Sequence, residues 1–183
     1  MTEATEATEV SSSLILEGGG NRGVFTAGAL DFLMEKDVKF PYVVGVSAGS
    51  CNALDYVSHQ PGRTRDCMIV EDKENSYIAT RAALKKHQLF DMDMVFDRYP
   101  NELFPFDFDT FFQSDIQCEM VVTNCLTGDA EYMSEKHDRQ RLMDIGRASS
   151  SIPLVSPAVE IDGVPYLDGG VADSIPLIHA MSK

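Results

Sequence analysis

The stretch Tyr42-Val43-Val44-Gly45-Val46-Ser47-Ala48-Gly49 decides the fold. Tyr42 to Val46 is β-branched and apolar, the composition of a buried strand. Ala48 to Val57 reads as a helix that begins directly after Ser47. A serine between a buried strand and a helix sits on a sharp turn that holds its Oγ out of the sheet. Gly45, Ser47 and Gly49 form a G-x-S-x-G pattern, and glycines suit a turn where a side chain would collide with neighbouring backbone. The helix start directs backbone N–H groups and the positive end of its dipole at the serine. Ser47 is therefore a candidate nucleophile. The five-residue pattern is weakly specific alone, and its place between strand and helix gives it weight.

On the N-terminal side, Leu14-Ile15-Leu16 is a short apolar run closed by glycines and reads as another buried strand. Gly23 to Glu35 places Val24, Ala27, Gly28, Leu30, Phe32, Leu33 and Met34 at rough helical spacing. The two are joined by Glu17-Gly18-Gly19-Gly20-Asn21-Arg22-Gly23. Three consecutive glycines leave backbone N–H groups exposed, so this turn can donate hydrogen bonds to an oxyanion. Arg22 can orient the loop or assist the negative charge. Gly18, Gly20 and Gly23 also satisfy G-x-G-x-x-G, the dinucleotide-binding pattern. That pattern expects an acid at the tip of the second strand. Ser47 stands there instead, and Asp37 lies in the connection before it, so the dinucleotide reading is the weaker. The phosphate-binding P-loop pattern fails, because no Gly-Lys-Ser/Thr follows.

Farther along, Gln117–Asn124 reads as a strand, and Glu131-Tyr132-Met133 as its partner after the turn at Thr127-Gly128-Asp129. Arg139–Ser149 reads as a helix, and Val164–Leu167 leads into Asp168-Gly169-Gly170. Asn75–His87 is predicted helical. Arg98–Gln113 is rich in aromatics, and its Pro100 and Pro105 favour an irregular or capping segment. Strands alternating with helices indicate an α/β fold with a largely parallel sheet. An Asp followed by two glycines can present its carboxylate at a turn close to another backbone; taken alone, Asp168 reads more readily as part of a simple β-turn.

Together the Gly-rich loop with its Arg, the G-x-S-x-G elbow and Asp-Gly-Gly resemble the patatin-like phospholipase family, most closely its compact bacterial members. Ser149 to Pro157 is similar to the Ser- and Pro-rich stretch that precedes the family's Asp. The resemblance runs from Leu14 to Ala180. It implies a three-layer α/β/α sandwich with a central, mostly parallel sheet over residues 14–183. Residues 1–13 are expected to be a disordered tail, and the end at Lys183, just inside a helix, leads us to expect a domain incomplete at its C-terminus. The resemblance further implies a Ser–Asp dyad without histidine. Ser47 would attack, Asp168 would take its proton, and the Gly18-Gly19-Gly20 backbone would hold the oxyanion, with Asn21, Arg22 and Gly23 completing the motif. Gly45 and Gly49 would shape the elbow, and Gly169 and Gly170 the turn after the base. No metal and no cofactor is implied, and the substrate would be a lipid acyl ester.

Two other readings compete. Ser47, Asp168 and His179 follow the chain order of an α/β-hydrolase triad, although the nucleophile comes very early here and His179 falls in a predicted helix. A lipid-binding or regulatory protein with an unused site is the non-catalytic alternative. Composition narrows the partners. A net charge of -14, from 29 acidic and 15 basic residues, argues against nucleic acid, which wants a basic face. It also opposes attraction to an anionic membrane, so membrane contact is expected to be peripheral at most. No apolar run approaches the ~20 residues of a membrane span. The N-terminus lacks the features of a signal peptide. Cys51, Cys67, Cys118 and Cys125 form no Cys-x-x-Cys pair and are read as reduced thiols of a cytoplasmic protein.

Overall fold

The computed structural model describes residues 8–9, 12–72, 74–78 and 90–183. Its centre is a six-stranded sheet built on β2 (Ser13–Leu16), β4 (Tyr42–Val46), β5 (Gln117–Asn124), β6 (Ala130–Met133), β7 (Val159–Ile161) and β8 (Val164–Asp168). The short strands β1 (Thr8–Glu9) and β3 (Val38–Lys39) pair separately. Thr8–Glu9 and Ser13 thus lie in strands, within the stretch expected to be a tail. The helices are α1 (Gly23–Glu35), α2 (Ala48–Val57), α3 (Arg63–Met68), α4 (Met94–Leu103), α5 (Phe108–Gln113), α6 (Arg139–Ser149) and α7 (Leu177–Ala180).

Strand β5 organises the sheet. On one edge it pairs antiparallel with β6, Val121 opposite Tyr132 and Val122 opposite Glu131. A backbone residue has only two edges, so the other partners of Val121 and Val122 share the remaining one. Val121 pairs with Val46 of the parallel strand β4. Val122 pairs with Asp168 of the antiparallel strand β8. Strands β4 and β8 therefore run toward each other along one edge of β5, and their C-terminal ends meet between Val121 and Val122. This corrects the expectation of a mostly parallel sheet. β2, β4 and β5 are mutually parallel, while β6, β7 and β8 add antiparallel pairs.

The alternation of strand residues sorts them into two apolar layers. Leu16, Val43, Met120 and Val122 face Leu30 and Met34 of α1, Ala53, Leu54 and Val57 of α2, and Leu142 and Ile145 of α6. Tyr42, Val44, Val46 and Val121 form the opposite face, with Tyr132 and Ala180 of the short α7. The result is the expected three-layer arrangement. Its second helical layer is thin, and a polar anchor supplements it. The buried Glu119 carboxylate accepts from Tyr42 Oη at 2.6 Å and from Lys183 Nζ at 2.8 Å, and His179 Nε2 lies 2.6 Å from it. The His179 ring stacks on Tyr132 with centroids 3.5 Å apart.

The middle of the chain departs most from the sequence reading. Prolines favour an irregular Arg98–Gln113, yet α4 runs into it as far as Leu103 and α5 lies within it. Helix α4 is wound as a π-helix around Pro100, and Phe104 N–H reaches back five residues to Tyr99 O at 2.8 Å. The wider turn accommodates a residue that cannot donate to a regular ladder. Of the helix expected over Asn75–His87, Ile78 instead bridges to Phe90, and residues 79–89 lie outside the described residues. Among the described residues no helix is long and apolar enough to cross a membrane.

Burial alone would raise the Glu119 carboxyl, but the bonds from Lys183, Tyr42 and His179 outweigh it and hold the group below its usual range. A depressed carboxylate stabilises the fold above its unfolded pKa and loses that contribution as pH falls through the folded one. We therefore expect Glu119→Gln to be less stable than wild type in urea denaturation at pH 7. The difference should begin to shrink as pH falls below the ~4.3 of an unfolded glutamate, and should be lost as pH passes through the lower folded value.

Candidate active site

Ser47 occupies the junction of β4 and α2 with φ 55 and ψ −124. A non-glycine residue pays for such a conformation and holds it only where its surroundings enforce it. Here the enforcement is backbone against backbone. A Cβ on Gly45 would lie 2.5 Å from Gly49 O, and one on Gly49 would overlap the carbonyl oxygens of Leu16 and Glu17. The elbow is thus wedged between the end of β2 and the first turn of α2. The Ser47 N–H donates to Ser149 Oγ at 3.1 Å, and that hydroxyl also bonds Ser50 Oγ at 2.8 Å. Ser149 is fully buried at the end of α6. As an individual residue it escaped the sequence reading; the signal was a run of three serines closing an amphipathic helix.

Asp168 ends β8, facing the place where β4 ends. Its N–H donates to Ser151 O at 2.9 Å, and its carbonyl accepts from Thr123 Oγ1 at 2.8 Å. The Gly170 N–H donates to its Oδ1 at 2.8 Å. Burial pushes the Asp168 carboxyl above the usual aspartate value, while hydrogen bonding from the Ser47 side chain and the Gly170 N–H pulls it part of the way back. Gly169 is sterically required, since a Cβ would overlap Val121 O. The chain there must cross the β5 backbone at the point where β4 stops.

The Gly18–Gly23 loop lies against the same elbow. A Cβ on Gly18 would stand 3.0 Å from Ser47 Cβ and 3.7 Å from its Oγ. Gly20 has φ 52 and Gly19 is extended. Arg22 is exposed, and its Nε bonds back to Gly19 O at 3.5 Å, so it fastens the loop and keeps its charge outside the pocket. Asn52 joins Gly23 O to Ala48 O, linking the loop to α2. Ser47, Gly20 and Asn21 line a pocket of about 120 Å³ that continues between Leu54, Phe96 and Met143. Its wall also holds Asp55, Arg63 and Thr64, which the sequence did not single out. These satisfy one another: Arg63 Nη1 and Thr64 Oγ1 bond the Asp55 carboxylate at 2.7 and 2.6 Å. Thus the structure brings Ser47, Asp168 and the glycine loop together. It leaves His179 apart, on the opposite face of the sheet with Glu119 and Tyr132, which removes the geometric basis for the Ser–Asp–His order.

The cysteines carry no disulfide: Cys51, Cys67, Cys118 and Cys125 are all free. Burial pushes the Cys51 thiol up to about 11 and the Cys67 and Cys118 thiols to about 12. The two pocket thiols, Cys51 and Cys67, are therefore held protonated at neutral pH, unlike the thiolate that nucleophilic catalysis uses.

Comparison with known proteins bears on the fold and the family. The family model described as patatin-like phospholipase matches residues 14–181. The uncharacterized protein YjjU of Escherichia coli K12 is 31% identical over 173 residues, covering 92% of this chain and 48% of that protein. The crystal structure of VipD from Legionella pneumophila has the same fold, with a TM-score of 0.55 at 16% identity. The alignment covers 89% of this chain and 46% of VipD. The chain thus spans about half the length of each.

The glycines of the site should respond unequally to a methyl group. Gly49→Ala meets two backbone carbonyls and is expected to cost upward of 4 kcal/mol or to prevent folding. Gly20→Ala meets open space and pays only for its positive φ, about 1–2 kcal/mol. Ser149→Ala strands the buried Ser47 N–H and should cost about 1–3 kcal/mol. Urea denaturation of the three variants measures this order.

Proposed function

The chain belongs to the patatin-like phospholipase family, and from that premise we propose that it is a lipid acyl hydrolase working through a Ser47–Asp168 dyad. The observation that carries the proposal is the head-on meeting of β4 and β8 along β5, which sets a strained serine and a buried carboxylate side by side. In this reading Ser47 Oγ attacks the ester carbonyl carbon as its proton passes to Asp168. The tetrahedral oxyanion is held by backbone N–H groups of the Gly18-Gly19-Gly20 loop. Such donors act on charge that develops only in the transition state, and each is worth about 3–4 kcal/mol. Collapse of the intermediate breaks the C–O bond to the alcohol, which leaves with the proton from Asp168. Water then attacks the acyl-enzyme, giving its proton to Asp168, and the acid is released with Ser47 restored.

Asp168 supports this role electrostatically. A carboxylate raised toward neutrality is a better base than an ordinary surface aspartate. An apolar pocket opening directly on Ser47 suits an acyl chain, with Leu54, Phe96 and Met143 as its wall. Desolvation there also strengthens the oxyanion interaction.

A fluorophosphonate probe should label wild type at Ser47 and leave Ser47→Ala unlabelled. Asp168→Asn should stay folded and lose at least 10³-fold in kcat on a soluble ester, whereas His179→Ala should keep most of its turnover. A folded wild type that takes no label would replace this reading with that of a non-catalytic lipid-binding protein. Because Asp168 must be ionised to act as base, activity should fall as pH drops through its raised pKa. The acid limb of the pH–rate profile should therefore lie above the ~3.9 of a free aspartate.

A further inference from the structure

Between Ala148 and Val159 the sequence Ala-Ser-Ser-Ser-Ile-Pro-Leu-Val-Ser-Pro-Ala-Val carries no charge, in a chain of net charge -14. The structure folds its centre into a tight turn. Val155 N–H donates to Ile152 O at 3.3 Å, and Ser156 N–H to the same oxygen at 3.0 Å. Pro153 takes the second position of this turn and Leu154 the third, with φ 71. A turn with proline second and positive φ third is one in which glycine is the expected third residue. Leucine there is strained, and nothing inside the molecule repays it, because Leu154 is 95% exposed. The serines on either side are buried. Ser151 O receives the Asp168 N–H, and Ser151 Oγ donates to Arg147 O at 2.8 Å. The tip is therefore held outward by a base fixed to Asp168 itself.

The position of the turn says what it meets. Ile152 is partly exposed and lines the pocket that opens on Ser47, so the apolar run Ile152-Pro153-Leu154 leads from the pocket to the tip. Phe25, 86% exposed, follows the pocket-lining Asn21 by about one helical turn. A turn presenting Ile152, Pro153 and Leu154 is far smaller than the roughly 800 Å² per partner of a stable protein interface. It is of a size to enter the apolar boundary of a lipid layer. We propose that the Ile152–Leu154 turn docks the mouth of the site on a zwitterionic lipid surface, with Leu154 inserted. The strong negative charge disfavours an anionic surface. The hydrolase reading supplies the reason for docking there, but docking itself is measured without turnover.

Co-sedimentation with phosphatidylcholine vesicles tests it, using the 183-residue chain. Wild type should sediment with the vesicles, and less when phosphatidylglycerol replaces phosphatidylcholine. Leu154→Asp should weaken vesicle binding about tenfold or more, from the lost burial of one leucine. Leu154→Gly relieves the positive φ, so it should match or exceed wild type in Tm while still losing vesicle binding. Both variants should hydrolyse a short, water-soluble ester at the wild-type rate. Wild type that ignores phosphatidylcholine vesicles would overturn the proposal, as would variants that bind them like wild type. A wild type that binds vesicles but hydrolyses no ester would sink the hydrolase reading and leave docking standing.

Discussion

Strand β5 has one free edge, and two strands must share it. Strand β4 occupies it up to Val121 and β8 from Val122 onward, so each must leave the sheet within one residue of the other. Neither can continue without colliding with its neighbour. β4 escapes through the turn at Ser47 into α2, and β8 through Asp168-Gly169-Gly170. The two residues at the exits face each other because the sheet permits no other outcome. The glycines follow from the same crowding: Gly169 passes over the Val121 carbonyl, and Gly170 comes within reach of Val46. Gly49 lets α2 press against the end of β2. The site is a consequence of strand register before it is a set of chemical groups.

This arrangement also explains the polar hardware around the site. A backbone that turns sharply inside a core leaves donors and acceptors without ladder partners, and each must be paired. The Ser47 N–H finds Ser149 Oγ, the Asp168 N–H finds Ser151 O, and the Asp168 carbonyl finds Thr123 Oγ1. Two of the three partners come from the end of α6 and the residues after it. Ser149 and Ser151 therefore brace nucleophile and carboxylate from one short stretch of chain.

The sequence made the local elements legible wherever they were periodic or closed by glycine. Tyr42–Val46, Ala48–Val57, Gln117–Asn124 and Arg139–Ser149 have the bounds that their apolar patterns suggest. Ser47 and Asp168 were readable because glycines mark tight backbone wherever they cluster. The hairpin of β5 and β6 was legible from its Thr127-Gly128-Asp129 turn, but the antiparallel pairing of β5 with β8 was not, because it joins segments some 45 residues apart and rests on no local preference. Helix α4 was hidden by Pro100, since a π-turn spares the hydrogen bond that proline would have broken. Ser149 and the Asp55–Arg63–Thr64 cluster were equally invisible. Their importance lies in what they touch, and buried serines and ion pairs have no periodic signature.

Positive φ at non-glycine residues links the interior and the surface of this molecule. Ser47 and Leu154 both hold such a conformation, and Leu154 lies three residues from Ser151, whose carbonyl receives the Asp168 N–H. Their circumstances differ. The strain at Ser47 is enforced from all sides by β2, α2 and Ser149, and it sets the hydroxyl where the carboxylate can reach it. The strain at Leu154 has no packing to enforce it, because its side chain stands in solvent. A proline before it and buried serines around it fix the turn, and the free energy spent on leucine in place of glycine buys no internal contact. Strain that the fold itself does not use points outward, to whatever the pocket mouth meets.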